Sequence, residues 1–159
     1  MPSMFKSNEV QVSEILRHGA VDFMTGQAMD FVNFTDQSVD IHHFFPAKYC
    51  QKMSYDRHKW NSIVNKTPIT AHTNRVVGGA APSEYMDNIE RDGHVTQEDL
   101  DRFLATHLVD VDAMRRDDFD TYFIERAKAL LELISDAMGK AVTNRAGQDV
   151  LTQFGAALE

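Results

Sequence analysis

VDIHHFFPAKYC (residues 39–50) and NSIVNKTPITAHTNRVVGGAAPSEYM (residues 61–86) form the stretch on which the fold turns. Val39 to about His43 reads as a strand, stopped by Pro46, whose ring fixes φ and which has no N–H to continue a ladder. A second short strand is expected near Lys66–Thr70. Pro68 confines it to an edge, because a proline cannot donate to a neighbour. Thr70 is a suitable cap for a helix opening at Ala71, and Gly78-Gly79 a suitable stop. The order strand, loop, strand, helix sets His42 and His43 at a strand end, Asn65 before the second strand and Asn74 on the helix. Histidines and asparagines held this way suit one divalent cation and one activated water.

Outward from that stretch the signals are mostly helical. Ser7 can cap a helix from about Asn8 to His18, with Val10, Ile15 and Leu16 on its apolar face. Ala20–Met24 and Ala28–Phe34 read as short helical or irregular pieces broken at Thr25-Gly26. Ala47–Met53 allows one or two helical turns, and Tyr55–Lys59 reads as a charged loop. Pro82 fits the first position of a helix that keeps Glu84 in its first turn and ends near Asp92-Gly93. Thr96-Gln-Glu-Asp99 matches a capping box, opening a helix to about His107. Asp117–Met138 is the longest helical run, with Phe119, Phe123, Leu130, Ile134 and Ala137 at helical spacings and Gly139 past its end. A weaker helix is expected within Asn144–Leu158. The class expected is α+β, a small core at residues 39–86 embedded in a mostly helical single domain. Residues 1–38 form a helical lead-in packed on that core, and residues 87–159 its helical C-terminal part.

Composition narrows the chemistry. No apolar run reaches 18 residues and no secretion signal opens the chain, so a cytoplasmic protein without a membrane partner is expected. One cysteine, Cys50, rules out an internal disulfide and a multi-cysteine zinc knuckle, leaving nitrogen and oxygen donors for any metal. The net charge of −8 runs against a nucleic-acid partner. Yet residues 41–80 carry Lys48, Lys52, Arg57, Lys59, Lys66 and Arg75 against Asp56 alone. The candidate site therefore coincides with the one positive segment of an acidic chain, although a lysine-rich solvated loop would look the same.

Asp40-Ile-His-His-Phe-Phe-Pro46, Asn65, Thr73-Asn-Arg75 and Gly78-x-x-Ala-Pro-Ser-Glu-Tyr85, in this order, resemble an HNH (ββα-metal) endonuclease. Within that superfamily the stretch is most similar to the C-terminal nuclease domain of GmrSD-type, modification-dependent restriction enzymes. The resemblance spans residues 39–86, about a third of the chain. It implies a ββα-metal core that hydrolyses DNA phosphodiester bonds with Mg²⁺, Mn²⁺ or another divalent cation, in defence against phage. His42 and Asn74 would be the metal ligands, with Asp40 auxiliary. Magnesium keeps several waters and needs only one or two protein ligands.

His43 is the candidate general base, since an imidazole with an ordinary pKa of about 6.5 is largely neutral near pH 7. Asn65 would orient the loop that carries it, through side-chain to backbone bonds. Arg75 and Lys48 are candidate phosphate contacts. His72 stands where similar sequences more often show Arg. Neighbouring residues on a regular strand face opposite ways, so the strand must bend or end at the histidine pair. GmrSD-like relatives couple the nuclease to a nucleotide-hydrolysing, target-sensing domain, which makes such a domain or subunit an expected partner. The alternative is a non-catalytic nucleic-acid or protein-interaction module that keeps the fold without turnover. His18, His58, His94 and His107 show no metal-ligand spacing.

Overall fold

Val39–His43 (β1) and Lys66–Thr70 (β2) pair antiparallel in the computed structural model, Val39 opposite Thr70 and His43 opposite Lys66. The structure describes residues 8–29, 39–139 and 145–158, excepting the side chains of residues 8–11, 39 and 40. Among them the chain is mixed α and β, mostly helical, with one two-stranded sheet. Just past the strand ends the Phe44 N–H bonds the Asn65 carbonyl at 2.9 Å, which sets the phase of the ladder. His42–Thr67 and Asp40–Ile69 are then hydrogen-bonded pairs, while Ile41–Pro68 and His43–Lys66 are not. Pro68 thus occupies a position whose N–H would point out of the sheet, and its missing donor costs nothing.

β2 runs directly into Ala71–Val77 (α4), because the Thr70 hydroxyl accepts the Thr73 N–H at 3.2 Å and starts the helix. Gly78 ends it at φ +56°, ψ −136°, a conformation that favours glycine. The connection between the strands holds two short helices, Ala47–Lys52 (α2) and Arg57–Trp60 (α3), and a 3-10 turn at Ile63–Asn65. Residues 55–59 were expected to be a charged loop. Arg57–Trp60 is helical instead, since the Asp56 carboxylate accepts the His58 N–H at 2.9 Å and caps the turn.

Asn8–Arg17 (α1) precedes the hairpin; the Ser7 cap and most of the Ala28–Phe34 piece lie outside the described residues. Within the lead-in, Val21 forms an isolated antiparallel bridge with Ala28, across the turn broken at Gly26. After the hairpin come Pro82–Asp92 (α5), with Pro82 in its first turn, and Gln97–Ala105 (α6), capped by Thr96. Val111–Arg115 (α7) was not foreseen; the Asp110 carboxylate caps it. Phe119–Met138 (α8) ends at Gly139 in the left-handed region, and Gln148–Phe154 (α9) follows. The core gathers on α8: Phe45 lies 4.7 Å from the Tyr122 ring and 5.2 Å from Phe119, and Phe44 packs on Phe23 and Tyr122. Among the described residues no helix is long and apolar enough to cross a membrane.

Candidate functional site: the strand end at His42 and His43

β1 stops at His43, and the two residues after it turn the chain away from the sheet under a dense set of bonds. Asn65, fully buried, accepts the Phe45 N–H at 3.0 Å through Oδ1 and donates Nδ2 to the Phe45 carbonyl at 2.9 Å and the Trp60 carbonyl at 2.8 Å. Its Oδ1 also accepts from the Tyr122 hydroxyl at 3.2 Å. Tyr85, from the Ala-Pro-Ser-Glu-Tyr segment, donates its hydroxyl to the Phe44 carbonyl at 2.8 Å. Arg126 on α8 donates Nη1 to the carbonyls of Val64 and Lys66 at 2.6 and 2.7 Å, with its guanidinium 4.9 Å from the Phe44 ring. Buried carbonyls without partners would cost about 1–3 kcal/mol each, so these side chains hold the bend in one geometry.

His43 stands at the outer edge of this frame. Its ring meets Trp60 edge-on at 5.7 Å, and its Nε2 lies 3.2 Å from Asn61 Oδ1. Partial burial lowers its pKa; the Asn61 bond opposes that, and Lys66, its close cross-strand neighbour, adds to the lowering. The imidazole is therefore neutral at pH 7. Asn61 also lines an open cleft of about 350 Å³ together with Arg57 and His58.

His42 shares the opposite face with Thr67 and is half-buried. Asn74 sits on α4, which packs against β1, and is also half-buried. Asp40 pairs with Ile69 through its backbone, while its side chain lies outside the described residues. The Lys48 stem crosses Gly79, so this cation stands beside the end of the helix that carries Asn74 and Arg75. Arg75 and Lys48 are exposed, and neither forms an ion pair among the described residues.

No group of three or more His, Cys, Asp and Glu gathers among those residues. The candidate metal donors, His42 on β1 and Asn74 on α4, are one imidazole and one carboxamide. That mixed nitrogen and oxygen set suits a borderline divalent ion that keeps open positions for water and phosphate, and suits a closed structural site poorly.

Three side chains that sequence reasoning passed over do much of the positioning. Buried His107 takes part in two short bonds, Nδ1 to the Thr67 hydroxyl and Nε2 to the Val21 carbonyl, both 2.6 Å. Burial pushes its pKa down to about 4. Asp22, also buried, accepts the Thr73 hydroxyl at 2.7 Å and the Thr70 hydroxyl at 3.2 Å, as well as the N–H groups of Met24 and Thr25. It fastens the lead-in to the start of α4. Asn61 is the third, and its one local signal was the Asp56 cap that makes residues 57–60 helical. Compared with family models, curated proteins and solved structures, the chain matches none.

Proposed function

We propose that the chain is a divalent-metal-dependent HNH endonuclease that hydrolyses DNA phosphodiester bonds, the nuclease part of a phage-defence restriction system in the cytoplasm. The observation that carries this reading is the hairpin and helix at residues 39–77, with two histidines at the end of β1, a bend clamped by Asn65, and the helix that carries Asn74 packed on the same strand. His42 and Asn74 would hold the cation, with Asp40 auxiliary. When bound, a divalent ion polarises the phosphoryl oxygen and steadies the leaving oxygen.

His43, neutral at pH 7 and on the strand face opposite His42, would take the proton of the attacking water past the end of β1, where the strand stops and both faces meet the bend. Asn65 keeps the backbone beyond His43 from shifting while that proton moves. Lys48 and Arg75 neutralise the phosphate from the α4 side, and Mg²⁺ or Mn²⁺ is the expected cation. Target selection would belong to a nucleotide-hydrolysing partner domain or subunit, as the resemblance to GmrSD-type enzymes implies.

Supercoiled plasmid incubated with Mg²⁺ or Mn²⁺ should be nicked, and EDTA should stop the reaction. His43→Ala should lower the rate by about 10²–10⁴-fold, the usual contribution of a positioned base, with an unchanged circular dichroism spectrum. Cation-dependent nicking retained by that variant removes the base assignment. The net charge of −8 favours a second reading, a non-catalytic interaction module, which predicts no nicking with any divalent cation.

A further inference from the structure

α3 is only four residues long, yet with its C-cap residue Asn61 it brings three polar side chains to one open cleft next to His43. Asn61 joins the two: its side chain lines the cleft and its Oδ1 lies 3.2 Å from His43 Nε2. This bond is exposed, whereas the bonds that hold the fold here are buried. A hydrogen bond open to water adds little to stability, because water would replace it. What it does fix is the ring. A carboxamide oxygen only accepts, so Nε2 must carry the hydrogen and Nδ1 keeps the lone pair. Asn65 donates to the Trp60 carbonyl, the peptide that leads into Asn61, and grips Phe45, two residues past His43. One buried side chain thus sets the spacing between the imidazole and its partner. Arg57 and His58 are exposed on the same cleft, and Arg57 forms no ion pair among the described residues.

We propose that Asn61 is the positioning residue for His43, holding it as the Nε2–H tautomer with Nδ1 as the proton-accepting atom, and that Arg57 and His58 bind a DNA phosphate in the adjoining cleft. The proposal deepens the nuclease reading and rests on it, but its first test does not need turnover. Two-bond ¹H–¹⁵N spectra of the full chain above pH 7.5 report which ring nitrogen of His43 is protonated. A single Nε2–H tautomer is expected in the wild type and in Asn61→Asp, and a mixture of tautomers in Asn61→Ala. Aspartate has no N–H to give, so its rescue requires that position 61 accept. Identical tautomer populations in wild type and Asn61→Ala overturn the positioning role.

With Mg²⁺ or Mn²⁺, Asn61→Ala should lose on the order of 10²-fold in nicking rate, and Asn61→Asp should recover most of it. Equal rates in wild type and Asn61→Ala also overturn it. For the cleft, binding of a duplex oligonucleotide in EDTA should weaken in the Arg57→Ala/His58→Ala variant. The slope of log affinity against log salt should fall by about 1, the counterion share of one phosphate contact. An unchanged slope takes the cleft out of the DNA path. A wild-type chain that nicks nothing while its tautomer follows position 61 sinks the nuclease reading and leaves the His43–Asn61 pair standing.

Discussion

Lowering the pH should unfasten this fold at His107, and the size of the effect follows from its two partners. The Val21 carbonyl only accepts, so Nε2 carries the hydrogen, and Nδ1 takes the Thr67 hydroxyl proton. Both nitrogens are committed in the neutral ring. A second proton would have to enter at Nδ1, turning the Thr67 hydroxyl away, inside a site that also faces the Arg126 guanidinium. Burial above all, with the Arg126 charge adding to it against the Val21 bond and Asp22, holds the folded pKa down at about 4 against the ordinary 6.5. An unfolded chain takes up this proton near pH 6.5 and the folded one does not. The stabilisation is complete above about pH 6.5 and disappears as pH falls toward 4.

At about 1.36 kcal/mol for each pH unit of that gap, roughly 3 kcal/mol is lost, equivalent to about 6–12 °C of Tm for a domain of this size. His107→Gln supplies a donor toward Val21 and an acceptor for Thr67 without titrating. It gives up the ring contacts with Phe23 and Phe44 and starts from a lower stability at pH 7. Urea unfolding at pH 7.5, 5.5 and 4.5 on both proteins isolates the effect: the wild type should lose more stability than the variant across that range, by most of the 3 kcal/mol. Parallel pH profiles would refute the assignment of neutral, doubly bonded His107.

Asn65→Ala removes the partners of Phe45 N–H, Phe45 carbonyl and Trp60 carbonyl together. Stability in urea should drop by about 3 kcal/mol or more, and a loss below about 1 kcal/mol would show that the bend is held by packing instead. Asp22→Asn turns an amide toward donors that all need an acceptor, so amide exchange across α4 should speed up about 5- to 150-fold, the equivalent of about 1–3 kcal/mol. Protection of α4 unchanged from wild type would mean that its start does not depend on the lead-in.

What the residue order determined by itself is the local skeleton. A β-branched run ended by Pro46, the Thr70 cap, the Gly78 stop, Pro82 in a first turn, the Thr96 cap and Gly139 after a long apolar-faced helix each act within a few residues. Their effect on the backbone does not depend on the rest of the chain. Asp56 and Asp110 carry the same kind of signal, and α3 and α7 follow from them just as directly.

The surroundings of the histidine pair were decided only by tertiary structure. His107 reaches Thr67 across forty residues of sequence, Arg126 reaches the carbonyls before β2 across about sixty, and Asp22 reaches Thr73 across fifty-one. Nothing in the neighbours of these residues marks them as buried. Asn61 likewise meets His43 only because the hairpin closes and α3 folds back over the strand end. Short-range backbone preference is written where it acts. The partner of a polar side chain is chosen by whichever distant element the packed core sets opposite it.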